Sequence, residues 1–165
     1  MYHVVMDTEY AWAAGFIDGE GTITIKRYKS QYTVKKIHYQ PYVSASQANH
    51  VGHYKAIKRM QKLFGGSLCI YKAKPPKLEY LSWSVVSRDA VACLKKIRPY
   101  LQIKNRHADI LLSYYEKAGK KAKGYRLTDN ELAEREKLWI ELRSINQKGK
   151  LYLQRLNEPT PDEGM

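Results

Sequence analysis

The sequence predicts an α+β domain with an αββαββα core: one four-stranded antiparallel sheet, helices on one face, and extra C-terminal helices. Three observations predict it. Helical apolar patterns over 8–18, 51–64, 88–97 and 103–116 are interleaved with strand-like runs over 22–28, 37–47, 67–72 and 79–86. Glycine and proline mark the changes, at Gly65-Gly66, Pro75-Pro76 and Pro99. The chain has 165 residues, 44 % of them apolar, enough for one core with few additions. Residues 1–155 therefore form a single domain, and 156–165 read as a flexible acidic tail.

Each element has its own reason. Thr8 to Asp18 carries helical spacing, with Thr8 or Asp7 as the N-cap and Gly19 and Gly21 as the stop. In Thr22 to Tyr28, Ile23 and Ile25 face the core while Thr22, Thr24, Lys26 and Tyr28 face outward. Ser30 and Gln31 mark a turn. Ile37 to Gln47 places His38, Gln40, Tyr42, Ser44 and Ser46 on one face, and Pro41 argues for an edge or a bulge. Val51 to Phe64 turns Ile57, Met60, Leu63 and Phe64 inward. Ser67 to Lys72 is a strand whose polarity leaves its inward face open. Glu79 to Val86 alternates Leu81, Trp83 and Val85 with Tyr80, Ser82 and Ser84. Ser87 reads as the cap of a helix to Ile97, which Pro99 ends. Ile103 to Glu116 is helical, with Ile110, Leu111, Leu112 and Tyr115 as its apolar content. Thr128 and Glu131 are spaced as a capping box for a last helix to Asn146.

The charge points to a polyanionic partner. There are 29 Lys and Arg against 16 Asp and Glu, a formal net charge of +13. The excess is concentrated: Gly21 to Leu78 holds 12 basic residues and no acid, with tyrosines between the lysines. No apolar run approaches the roughly 20 residues of a membrane span. The N-terminal residues lack the basic start and apolar centre of a signal peptide, and the two cysteines have no metal-type neighbours, so an intracellular, unsecreted protein is expected. His50 and His53 form an H-x-x-H pair with no third ligand nearby, which argues against zinc. No phosphate-binding loop and no nucleophile elbow occurs.

Ala11, Gly15 and Gly19 recur every four residues, so they share one face of the first helix. Such a strip admits another backbone closely. Trp12, Phe16 and Ile17 already supply a core face, which leaves the strip for a second helix. Glu20 falls at the helix C-terminus, where backbone carbonyls carry partial negative charge. A carboxylate there is electrostatically poor without a cation. Two paired helix ends would bring two such acids together around a shared divalent ion, and Mg²⁺ prefers oxygen ligands of this kind.

The run A-A-G-F-I-D-G-E-G at residues 13–21 resembles the L-A-G-L-I-D-A-D-G motif of the homing endonucleases of that name. Ala14, Gly15, Ile17, Asp18 and Gly21 match; Ala13, Phe16, Gly19 and Glu20 depart mildly. The order of elements after it extends the resemblance over most of the chain. It implies a saddle-shaped sheet astride the DNA major groove. One motif is present, which implies a homodimer on a long near-palindromic target of double-stranded DNA. It implies metal-dependent hydrolysis of one phosphodiester per strand, leaving 3′ overhangs. Mg²⁺ is the expected cofactor, with Mn²⁺ substituting and Ca²⁺ binding without cleavage. The alternative on the same scaffold is a cleavage-inactive DNA-binding protein or an RNA maturase assisting intron splicing.

By the same resemblance, Glu20 is the metal-binding acid of each subunit, aided by the Gly19 carbonyl, and Asp18 caps or orients the helix junction. Asp18 also joins Ala11, Gly15 and Gly19 in the implied dimer interface. Gln47 or Asn49 would stand near the nucleophilic water, with His53 and Lys55 a few residues on. The segment P-Y-L-Q-I-K-N-R-H resembles the family's later junction into a helix and offers Lys104 as a catalytic-zone lysine, while Gln102 stands where some members have another. Base readout is expected from Thr24, Lys26, Tyr28, His38, Gln40, Tyr42, Ser44 and Ser46, with Ser30 and Tyr32 at the turn and Tyr71, Lys72 and Lys74 along the third strand.

Overall fold

A first helix running directly into a strand organises the whole domain. In the computed structural model α1 (Tyr2–Glu20) gives way to β1 (Gly21–Lys29) with no intervening residue. Then come β2 (Ile37–Ala48), α2 (Val51–Phe64), β3 (Ser67–Tyr71), β4 (Tyr80–Val86), α3 (Ser87–Ile97), a 3-10 turn (Arg98–Tyr100), α4 (Asn105–Ala118) and α5 (Asp129–Ser144). The structure describes residues 2–29, 37–48, 51–72, 79–118 and 127–146, with the side chains of 2–5, 51–53 and 118 left out. The order is the expected αββαββα followed by helices.

The sheet is antiparallel throughout, in the order β1-β2-β4-β3. Facing residues of paired strands share one side, so the register sorts every position. Ile23, Val43 and Val85 lie in one row, and Ala45 and Trp83 in the next; all are buried under helices. The register also settles β3. Leu68 and Ile70 pair with Trp83 and Leu81 on the helix side, whereas Ser67, Cys69 and Tyr71 pair with Ser84, Ser82 and Tyr80 on the outer side.

The five helices among the described residues pack over the inner side: α1, α2 and α3 against β2 or β4, α4 and α5 against β1. Trp83 is fully buried, and its indole N–H donates to the Gly65 carbonyl at 2.7 Å. That carbonyl is offered by the turn that closes α2. Its second residue, Gly66, has φ +87° and approaches Ser84 so closely that a Cβ would lie 2.4 Å from the Ser84 carbonyl oxygen.

Several sequence expectations need correction. α1 begins at Tyr2, a turn and a half before the expected caps; Asp7 accepts a hydrogen bond from the Tyr100 hydroxyl at 3.0 Å instead. Gly19 lies inside the helix, and Gly21 alone makes the stop, because a Cβ there would lie 2.7 Å from the Ile17 backbone. Pro41 is not on an edge strand, since β2 is central. The β4 register ends at Tyr42–Val86, however, so Pro41 has a strand neighbour on one side only and its missing N–H is tolerated. Ser87 does not cap α3; Val86 holds the cap position, without a side-chain bond. α4 starts at Asn105, which leaves Lys104 in the turn before it. The Thr128–Glu131 capping box is formed as expected.

Candidate nucleic-acid interface and acidic helix end

The outer side of the sheet is a polar platform. Its rows read Thr22–Ser44–Ser84–Ser67, Thr24–Tyr42–Val86, Lys26–Gln40 and Tyr28–His38. Beyond the first row lie Ser46–Ser82–Cys69 and Ala48–Tyr80–Tyr71. No Asp or Glu stands at any of these positions. Small hydroxyls fill the middle, where the Ser46 hydroxyl donates to that of Ser82 at 2.9 Å. Aromatic pairs stand at opposite ends: Tyr28 stacked on His38, centroids 5.5 Å apart, and Tyr71 on Tyr80, 4.7 Å apart. The Lys26 ammonium lies 3.5 Å from the centre of the Tyr42 ring. Such a surface offers donors and acceptors to base edges and cations to phosphates, with nothing to repel a polyanion.

At the sheet end where β1 starts, the two acids of the opening motif part company. Asp18 is 8 % exposed. Its carboxylate accepts backbone N–H bonds from Gln102 at 2.7 Å, Ile103 at 3.2 Å and Lys104 at 2.8 Å. It is the anchor of the turn between α3 and α4. Glu20 is the last residue of α1 and is exposed.

Lys104 joins them. Held by Asp18 through its backbone, it sends its ammonium to the Ile17 carbonyl at 2.9 Å and to the Asp18 carbonyl, capping the negative end of α1. Burial pulls its pKa down, against the attraction of Asp18 and Glu20. The His107 imidazole one helical turn on is likewise pulled down, by burial first and then by Lys104 and Arg106.

Among the described residues, the other side of α1 is uncovered. Ala13, Ala14 and Ile17 are fully buried, whereas Ala11, Gly15 and Gly19 are exposed. A Cβ placed on Gly15 or Gly19 would meet nothing within 4 Å, so packing among the described residues requires neither glycine. Among the described residues no group of three or more His, Cys, Asp or Glu could hold a metal. One exposed carboxylate and nearby backbone carbonyls are oxygen donors that suit Mg²⁺ or Ca²⁺, but one protomer supplies too few of them to complete its coordination.

Other candidates fall as follows. Gln47 pairs with Leu81, so it shares the helix-side register and not the readout face. It stands two positions past Ala45, the partner of Gly21, and so roughly 7 Å along the strand from the α1–β1 junction. Lys72 follows the end of β3, outside the paired register, and is exposed. Ser30, Tyr32, Asn49 and Lys74 lie outside the described residues, as do the link at 119–126 and the tail. The sequence reading missed the hydrogen bonds from the 102–104 turn to Asp18, which join segments too far apart for any local pattern to link. It also gave no site role to Tyr80, Ser82, Ser84 and Cys69, although the alternation in β4 had already placed the first three on the polar side.

α1 thus ends in an acid and leads into a four-stranded antiparallel sheet whose outer polar face no described helix covers. The family model described as LAGLIDADG endonuclease matches residues 13–128, and the chain belongs to that family. No curated protein matches it. Among solved structures, it is similar to the archaeal intron-encoded homing endonuclease I-Vdi141I complexed with DNA (TM-score 0.67, 19 % identity, covering 86 % of each chain). It is also similar to homing endonuclease I-CvuI bound to its target in the presence of Ca²⁺ (TM-score 0.59, 19 % identity, 92 % of this chain and 84 % of that one). A third is homing endonuclease I-TnaI (TM-score 0.61, 18 % identity, 89 % and 97 %). I-CvuI is also known on another endonuclease's target with Mg²⁺, where the DNA is not cleaved. No helix among the described residues is long and apolar enough to cross a membrane.

Proposed function

We propose that this protein is a homodimeric, site-specific endonuclease that hydrolyses both strands of a long near-palindromic DNA target, leaving 3′ overhangs. It acts inside the cell, on the DNA into which its own intron inserts. The observation that carries the reading is the exposed face of α1. It is lined by glycines the protomer does not need, and it ends in an exposed carboxylate beside an acid-free sheet face. Two α1 helices crossing there would bring two Glu20 carboxylates together at the DNA backbone, with the Gly19 carbonyls beside them. A divalent cation bound between them, Mg²⁺ or Mn²⁺, would polarise the attacked phosphate and ease ionisation of a water; Ca²⁺ would bind without supporting cleavage.

The chain's own residues do the rest. Asp18 fixes the 102–104 turn, and that turn holds the Lys104 ammonium on the end of α1, where its charge offsets the phosphate beside Glu20. Gln47, next along the strand from the junction, orients water at the same end. Outer residues of the four strands grip and read the duplex. A dimer neutralising on the order of 10 phosphates should lose several decades of affinity per decade of salt, with a slope of roughly −0.9 per contact.

The test is cleavage of DNA carrying the element's insertion site. Glu20→Gln should retain binding and lose about a thousand-fold or more in cleavage, as expected when several kcal/mol of metal-assisted stabilisation is removed. A Glu20→Gln protein that cuts at the normal rate would refute the metal assignment. A wild-type protein that binds and never cuts would be a binder on the same scaffold.

A further inference from the structure

Ser87 opens α3 immediately after β4 with φ 52°, and among the described residues it is the one non-glycine in the left-handed region. That conformation is disfavoured for any residue with a Cβ. A serine at a helix start normally earns its place as the N-cap. Here the cap position belongs to Val86, and no side chain caps the helix. The hydroxyl is engaged elsewhere: the Gln40 side-chain amide donates to the Ser87 Oγ at 3.3 Å.

Gln40 stands on the outer sheet face, directly across from Lys26 in the β1–β2 register. A free glutamine side chain samples many rotamers, and fixing it on binding costs entropy. Bound to Ser87 by one N–H, its amide keeps a second N–H and the whole of Oε1 for a ligand. That leaves a donor next to an acceptor in one plane. In the major groove adenine presents the complement on neighbouring atoms, the N7 acceptor and the N6 amino donor. Guanine offers two acceptors there, cytosine a donor and thymine an acceptor beside a methyl.

We propose that Ser87 is a positioning residue that pre-orients the Gln40 amide for bidentate readout of one adenine in each half of the target. The proposal rests on the sheet-on-DNA reading above. It accounts together for the strained backbone, the unused cap and the tethered amide.

The test is selection of bound duplexes from a randomised library in Ca²⁺, which separates recognition from cleavage, followed by affinity measurements with each base substituted. Wild type should prefer adenine at one position per half-site, and Gln40→Ala should lose about tenfold of that preference. Ser87→Ala and Ser87→Gly should relax the same position several-fold and no other. Ser87→Asn, which tolerates the left-handed backbone and restores an acceptor, should recover it. Melting temperature separates this from a packing role, because Ser87→Gly removes the backbone strain and should melt at or above wild type while still losing the preference. Selection profiles unchanged by Ser87→Ala and Ser87→Gly, or a Gln40-dependent position that is not adenine, would overturn the proposal and leave the endonuclease reading standing. Failure of the wild type to select any duplex would end both.

Discussion

The two sides of α1 receive opposite treatment. The inner side is filled: Ala13, Ala14 and Ile17 are sealed in the core, and Asp18 holds three backbone N–H groups of the 102–104 turn. The outer side carries Ala11, Gly15 and Gly19 in the open and ends in Glu20. Two carboxylates two positions apart therefore do different work. Asp18 is committed to the fold of one protomer, whereas Glu20 stands exposed at the helix end, drawn only to the Lys104 charge among the described residues. A helix can hold its own domain and still present an unmet surface, provided the residues that pack fall on one stripe and a run of small ones on another.

The contrast is breakable. The largest separation should come from truncating each acid in turn. Asp18→Ala leaves three buried donors without their charged acceptor and should cost about 3 kcal/mol, lowering the melting temperature by roughly 6–12 °C. Glu20→Ala should leave the melting temperature unchanged or slightly raised, since it removes a carboxylate from a helix C-terminus. Thermal denaturation of the two variants side by side checks this; equal losses would erase the distinction.

Next in size is Gly15→Leu. No atom of the described residues lies within 4 Å of where its side chain would begin, so circular dichroism and melting of the single chain should be preserved. Sedimentation should show the dimer weakened by about tenfold or more, as an overpacked interface costs on the order of 1–3 kcal/mol.

Lys104→Met comes third. It removes the cation from the end of α1 and should lower cleavage with little change in melting temperature, because the helix-end attraction and the burial of the charge oppose each other. Its pH behaviour is the sharper measurement. Burial holds the folded pKa of Lys104 below the ordinary 10.5, so between the two values the unfolded chain binds more protons than the folded one. Stability contributed by this group therefore rises with pH across that window, and Lys104→Met should abolish the rise in urea titrations. The smallest effect concerns the thiols. Burial pushes Cys93 up to about 12, while Cys69 is exposed on the outer face, so a thiol reagent should modify one cysteine per native chain and two after denaturation.

Much of this was legible in the sequence because it is written in short-range periods. Alternation in β1 and β4 and the four-residue spacing on α1 placed the sheet faces and the glycine strip. Long-range partners left no such trace. Tyr114, buried and donating its hydroxyl to the Tyr39 carbonyl at 3.0 Å, was not recognised as core because its role depends on how α4 lies against the sheet. Gln47 follows Ala45 in the alternation of β2, but its distance from the α1–β1 junction became visible only once the register paired Ala45 with Gly21. Ser87 carried the signature of a cap, and only the backbone angle and the Gln40 bond show its hydroxyl diverted. The carboxylate pair at Asp18 and Glu20 was visible at once; their division of labour required the 102–104 turn to be seen folded against the helix.

The account stands or falls on what the open side of α1 meets. A crystal structure of the protein on a selected duplex, grown with Ca²⁺, tests it most directly. It should contain two copies related by a twofold axis, their α1 helices crossing at Gly15 and Gly19, with both Glu20 carboxylates on cation density beside the phosphates to be cut. A single copy on the duplex, or two copies joined through another surface with those carboxylates far apart, would contradict it.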